Sequence, residues 1–249
     1  MNLLYINKVE IKKEIPQSNY LSGLSVVKNI QNKGGLTFNK PVTFLVGENG
    51  IGKSTLIEAI AVNYGFNPEG GTRNFNFNTR DSHSDLHEYI KLVKGYRKPN
   101  GGFFLRAESF YNVSTNIDQM DEEPSLDPPV ITNYGGVSLH KQSHGEGFLS
   151  VVENGFKGNG LYILDEPEAA LSPNGIMRLI VNINDLVKNN AQFIISTHSP
   201  MLMAYPNSEI YEITKDGINL VDYKQTNHYI ITKQFLENPQ KMLNYLLED

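Results

Sequence analysis

Cysteine is absent from all 249 residues, which excludes disulfides, thiolate metal sites and cysteine nucleophiles together. Positive charge is also scarce: 22 Lys and Arg face 27 Asp and Glu, a net charge of −5. A protein whose main work is gripping nucleic acid carries a basic excess, so any such contact here must come from a local patch. No apolar run approaches the roughly eighteen residues that span a bilayer. The opening MNLLYINKVEIKKE lacks the long apolar core and small-residue cleavage site of a secretory leader. A soluble, cytoplasmic protein with no membrane insertion is the expectation. Apolar residues make up 39% of the chain and charged residues 20%, ordinary for a globular protein, and the length suits one sizeable α/β domain over 1–249.

What is present centres on GENGIGKST, the run Gly47, Glu48, Asn49, Gly50, Ile51, Gly52, Lys53, Ser54 and Thr55. It fits the pattern G-x-x-x-x-G-K-S/T. In such a loop the backbone N–H groups point at phosphate oxygens, the glycines allow close approach, and the following helix offers its positive N-terminal end. Lys53 is expected to reach the β and γ phosphates and the Ser54 hydroxyl to ligate Mg²⁺. The flanks agree: PVTFLV (41–46) is β-rich and apolar, and TLIEAIAV (55–62) has helical spacing. Strand, loop, helix is the confirming arrangement.

Two more apolar runs end in polar clusters. In GLYILDEPEAALSP (160–173), Leu161 to Leu164 read as a buried strand ending in Asp165 and Glu166. Adjacent carboxylates at such a place are costly to bury without a cation or a proton to handle. Asp165 suits a Mg²⁺ ligand, and Glu166 is placed to polarise an attacking water. AQFIISTHSP (191–200) is a further strand ending in Ser196, Thr197, His198 and Ser199. At the tip of a strand directly following the acidic one, His198 is expected in the same site. Ser172 and Pro173 read as the cap and first turn of a helix whose apolar face runs from Ile176 to Val187.

Elsewhere, 3–14 and 24–30 are expected as early strands, followed by a short strand at 35–39. Tyr20 and Phe38 could each stack on a base, although a core or surface aromatic is the plainer reading. Residues 67–85 read as loop, and 86–98 as a helix carrying Lys91, Lys94, Arg97 and Lys98, either a solvated face or a phosphate-backbone contact. A strand turning into a helix is expected at 101–117, with Arg106 and Glu108 at the junction, then an acidic, proline-bearing loop at 118–129. Ser143, Gly145, Glu146 and Gly147 surround the start of another helix, either an anion site or an ordinary cap. Residues 209–214 and 218–223 resemble a hairpin, and 228–249 two helical segments broken near Pro239.

Together these pieces resemble the ABC-class ATPases. GENGIGKST matches Walker A, LYILDE Walker B with its glutamate, AALS (169–172) the D-loop and STHSP the switch-histidine segment, while QSHGE (142–146) stands where transporters carry the signature LSGGQ. Glu146 in place of glutamine resembles the SMC, SbcC and RecF branch more than transporter subunits. Glu108 at the glutamine-loop position, within FFLRAESF, resembles with HGEG and LDEPEAALSP the small stand-alone ATPases related to RecF and the OLD-family nucleases. Ser172 stands where the D-loop usually carries the aspartate of its cross-subunit contact. The stretch from Gly47 to Ser143 leaves no room for a long coiled-coil arm, and the stretch after His198 is too short for a fused nuclease domain. A bare head is expected.

The resemblance implies a P-loop NTPase fold, a mixed sheet core with an N-terminal antiparallel β portion and a small helical lobe over about 66–157. It implies ATP and Mg²⁺ as the bound species, with Ser54, Asp165 and Glu108 near the metal. It also implies two copies sandwiching two ATP molecules, each held by one chain's Walker A and by Ser143, Gly145 and Glu146 of the other. Glu166, His198 and Lys53 are the expected catalytic groups. A separate effector in DNA repair or antiphage defence is the expected setting, with DNA contact resting on family analogy alone. A transporter's nucleotide-binding subunit and a non-hydrolysing nucleotide sensor are the alternatives.

Overall fold

The computed structural model describes residues 4–73, 75, 84–122, 124 and 127–247. Parts of the expected loop at 67–85 (residues 74 and 76–83) and of the acidic segment (123, 125 and 126) lie outside them, as do residues 1–3 and 248–249. In chain order the elements are β1 (Ile6–Ile11), α1 (Ser25–Lys33), β2 (Leu36–Thr37), β3 (Val42–Gly47), α2 (Lys53–Tyr64), α3 (Leu86–Tyr89), β4 (Ile90–Lys94), β5 (Gly101–Arg106) and α4 (Phe110–Glu122). There follow α5 (His144–Ser150), β6 (Gly160–Asp165), α6 (Pro173–Lys188), β7 (Gln192–Ser196), α7 (Pro200–Met203), β8 (Glu209–Ile213), β9 (Ile218–Val221), α8 (Asn227–Glu237) and α9 (Pro239–Leu247).

Six strands make the main sheet in the order β5-β6-β7-β3-β8-β9, parallel except for the β8–β9 hairpin. Every residue of β3, β6 and β7 is buried, as a parallel strand covered on both faces requires, which is why these three read as unbroken apolar runs. Side chains alternate between two cores. Leu45, Phe104, Ile163 and Ile194 face α2 and the N-terminal strands, whereas Phe44, Leu105, Leu164 and Ile195 face α4, α5 and α6. Each such side chain contributes about 1.5–3 kcal/mol of burial.

The second sheet is antiparallel, β2-β1-β4. Gln192, buried at the start of β7, ties it to the first: its Oε1 accepts from Tyr5 N–H (2.8 Å) and Ile6 N–H (3.0 Å), and its Nε2 donates to Ile6 O (2.9 Å). The fold is thus the mixed α/β core with an antiparallel N-terminal portion that the sequence predicts.

Two elements differ from expectation. Residues 25–33 are helical, because Val26, Val27 and Ile30 fall on one buried face and Gly34 closes the end in the left-handed region at φ 68°. Residues 90–94 are a strand, because Ile90 and Leu92 alternate inward while Lys91 points out, standing opposite Glu10 of β1. Of the span 66–157 expected as a helical lobe, β4 and β5 join the two sheets, and its longer helices begin at Phe110. Helices α8 and α9 follow the hairpin and bury none of their residues.

Candidate functional site

Register brings the polar strand ends together. Ser196 of β7 pairs on one side with Leu45 of β3 and on the other with Asp165 of β6, so the glycine loop after β3, the two acids after β6 and the histidine after β7 emerge side by side. This is the carboxyl edge of a parallel sheet, where such folds bind ligands.

The loop needs its glycines. A Cβ at Gly47 (φ 150°) would lie 2.3 Å from Ile213 O, and one at Gly52 (φ 102°) 2.6 Å from Val26 Cγ1. Gly52 also leads into α2 with no side-chain cap, leaving the first-turn N–H groups facing the loop. Lys53 is buried, and its Nζ donates to Gly47 O (2.8 Å) and Glu48 O (3.0 Å). Burial lowers its pKa, against the pull of Glu166, Asp165 and Glu168. Asn49, Gly50, Gly52, Lys53, Ser54 and Thr55 line a cavity of about 340 Å³ together with Leu24 and Glu166.

Ser54 Oγ donates to Asp165 Oδ1 at 3.3 Å. Burial pushes the Asp165 carboxyl up to about 6, partly offset by Arg106, whose Nε lies 3.5 Å from Oδ2. Arg106 also bridges Glu58 of α2 (2.8 Å) and Glu108 (3.6 Å). Glu108 projects into solvent with 87% of its side chain exposed. Among the described residues no three His, Cys, Asp or Glu cluster closely enough to hold a metal unaided. Ser54 and Asp165 are the pair that suits Mg²⁺, an ion that keeps few protein ligands and takes the rest from phosphate and water.

Glu166 adopts φ 49° and ψ 52°, a left-handed turn that a non-glycine residue rarely takes and that bends the chain out of β6. Its N–H donates to Ser196 O at 3.0 Å, and its Oε1 lies 3.5 Å from His198 Nε2. Burial, followed by the Lys53 charge, lowers the pKa of His198. Glu168, a third acid, clamps the switch segment: it accepts from Thr197 Oγ1 (2.8 Å) and from the His198 backbone N–H. Burial raises its pKa.

The signature residues stand elsewhere. Ser143 caps α5 in a reciprocal box with Glu146, whose carboxylate accepts from Ser143 Oγ (2.6 Å) and Ser143 N–H (3.1 Å), and both are exposed. The Ser143 contacts hold the Glu146 carboxyl below its usual range. A Cβ on Gly145 would lie 2.9 Å from Ala170 O, so its bareness lets α5 approach the segment after the acids. None of the three lines the phosphate-loop cavity. Ser172 caps α6, accepting from Gly175 N–H at 3.2 Å. Phe38 is core, and Tyr20 is exposed.

Residues 25–134 match the family model described as an AAA domain, and residues 142–204 match the one described as an AAA domain, putative AbiEii toxin, Type IV TA system. The sequence thus matches AAA-domain models in two stretches, and the fold is that of ABC-type ATPase heads. The chain is 30% identical over 134 residues to the Retron Vc95 probable ATPase of Vibrio cholerae serotype O1 biovar El Tor, a match spanning 47% of this chain and only a quarter (25%) of that relative. It is 26% identical over 216 residues to the energy-coupling factor transporter ATP-binding protein EcfA of Methanosphaera stadtmanae, covering 80% of this chain and 73% of that one. In fold it resembles cbiO1 from Clostridium perfringens, part of the ABC transporter complex cbiONQ, with a TM-score of 0.50 over 99% of this chain and 100% of the other at 17% identity. Among the described residues of the head, no helix is long and apolar enough to cross a membrane.

Three contacts of the site have no local signature in sequence. Arg106 meets Glu58 across a gap of 48 residues. Glu168 is legible only as one more acid after Pro167. His228 comes from α8 and belongs to no motif.

Proposed function

We propose that this head binds and hydrolyses ATP, pairs with a second copy around two nucleotides, and acts as a conformational switch for a separate effector. One observation carries the reading. Lys53, the Ser54–Asp165 pair, Glu166 and His198 converge on one strand edge, while Ser143 and Glu146 sit exposed and outside that cavity. A γ-phosphate gripped from one side in one chain has its second set of donors on another chain's surface.

In this reading the loop N–H groups and Lys53 neutralise the phosphates, and Ser54 and Asp165 hold Mg²⁺. When bound, the ion would supply positive charge against the phosphates. Glu166 takes the proton of the attacking water as the water oxygen bonds to the γ-phosphorus. The bond from that phosphorus to the bridging oxygen breaks, so that ADP leaves with the bonding pair, and His198 donates toward the γ-phosphate. The partner's Ser143 hydroxyl and the N–H groups near Gly145 supply the remaining donors once the Ser143–Glu146 hydrogen bonds open. Association and release of the two copies is the output.

The likeness to a retron ATPase and to a family described with a toxin system supports a role in antiphage defence or DNA maintenance. DNA, if it binds, meets Lys91, Lys94, Arg97 and Lys98 on β4 and the turn after it, although Lys94 already lies over the Tyr64 ring. A second reading, a transporter's nucleotide-binding subunit, has the EcfA likeness in its favour. Co-purification with a membrane permease would select it, and Glu146 argues against it.

Phosphate release and nucleotide binding test the main reading together. Lys53→Ala is expected to lose nucleotide, and Glu166→Gln to keep it while turnover stops. Wild-type chain that binds ATP yet releases no phosphate at any protein concentration would favour a non-hydrolysing sensor.

A further inference from the structure

His198 is hydrogen-bonded to a second histidine. Nε2 of His228, in the first turn of α8, lies 2.9 Å from His198 Nδ1, with ring centroids 5.1 Å apart. Burial and the nearby Lys53 charge lower the pKa of both rings, so at neutral pH neither carries a charge. Two neutral imidazoles joined this way have a single proton on the line between them, which admits two arrangements.

In the first, His198 Nδ1 carries the proton. His198 Nε2 then turns a lone pair toward the Glu166 carboxylate 3.5 Å away, and His228 is left with an N–H on Nδ1, a buried atom with no partner. Both consequences are unfavourable: a nitrogen lone pair faces the carboxylate with no proton between them, and a donor is stranded. In the second, His228 Nε2 carries the proton and donates to His198 Nδ1. His198 then points Nε2–H at the Glu166 carboxylate 3.5 Å away, a contact that needs only a small closure to become a hydrogen bond, and His228 Nδ1 is left as an unused acceptor. Electrostatics select the second.

The rest of the switch segment is already fixed. Glu168 holds the His198 backbone and the Thr197 hydroxyl, and Thr197 Oγ1 accepts from Ser199 N–H at 3.0 Å. What those bonds leave open is the rotation and tautomer of the His198 ring. We propose that His228 is the positioning residue for His198: by donating to Nδ1 it fixes the Nε2–H tautomer and aims that N–H at Glu166 and the γ-phosphate. This rests on the ATPase reading above. It also ties the site to α8, a helix that buries none of its own residues, so the seat of α8 sets whether His198 is armed.

The test uses the full chain and two variants. With histidine rings labelled with nitrogen-15, NMR of the wild type should show His198 as the Nε2–H tautomer, and His228→Leu should turn it into a mixture. For phosphate release, His228→Leu should lower kcat by about 10- to 100-fold, the usual cost of losing a partner that orients a ligating imidazole. ATP affinity should stay within about twofold, since the loss falls on the reacting state. His228→Gln places an amide N–H near the position of Nε2 and should restore kcat to within about threefold of wild type. An Nδ1–H tautomer in the wild type, wild-type turnover in His228→Leu, or a folded, ATP-binding His228→Gln that stays as slow as the leucine variant overturns the assignment. If the wild type releases no phosphate, the ATPase reading falls, and the NMR spectra alone decide the tautomer.

Discussion

The strand-end site and the signature helix are built in opposite ways. Around Lys53, Asp165 and His198 the polar atoms are buried, bonded several times over and held by backbone in a sparsely populated conformation at Glu166. At the start of α5, Ser143 and Glu146 face solvent and bond chiefly to each other. Burying a lysine and an aspartate costs stability unless their charges have work to do, whereas an exposed capping box costs little and opens readily. The contrast is that of a preorganised receptor and a surface awaiting something outside its own chain.

Loss of the proposed base strikes the receptor hardest. Glu166→Gln should cut phosphate release by about 10²- to 10⁴-fold, the usual range for a general base, with ATP binding retained. Turnover at the wild-type rate would move the base elsewhere. Lys53→Ala removes a charge-assisted grip on phosphate and should weaken ATP binding by about 10²-fold, read by calorimetry. Ser143→Ala strikes the other region. It should leave ATP binding to the isolated chain intact and weaken ATP-dependent pairing by about tenfold, roughly one hydrogen bond to a charged group. If Ser143→Ala lowers the affinity of a single chain, the signature belongs to its own nucleotide site and the contrast disappears.

The remaining effect concerns stability. The Asp165 pKa is raised from 3.8 to about 6, so the folded chain binds that proton more tightly than the unfolded chain. Stability from this group is full below about pH 4 and is lost as pH rises through about 6. Asp165→Asn, which mimics the protonated form, should therefore melt later than wild type at pH 8 in the absence of Mg²⁺, by an amount on the order of 3 kcal/mol. The gain should shrink as pH falls through about 6 and vanish only below about pH 4. A variant less stable at pH 8 would mean that the Arg106 contact outweighs the burial.

Much of the receptor is legible in sequence because each piece is local. GENGIGKST, LYILDE and STHSP each end a buried parallel strand, and a fully apolar run followed by polar residues is a pattern that survives without a partner. Ser172 with Pro173 announces the start of α6 for the same reason. Other features depend on what lies across the fold. The β-branched pair Val26 and Val27 favours extended backbone until the phosphate loop packs against them. The lysines at 91 and 94 resemble a helix surface until β1 supplies the strand that β4 pairs with. Arg106 with Glu58, and His198 with His228, are long-range pairs with no local signature.

Complementation between two inactive chains tests the account most directly. Lys53→Ala lacks the phosphate grip, and Ser143→Arg blocks the signature. A pair formed from one of each keeps a single intact site, made from the Walker elements of the second chain and the signature of the first. The account predicts that each variant alone releases no phosphate above background and that mixing them restores release. A mixture as inactive as its components, or a Ser143→Arg chain as active as wild type, would contradict it.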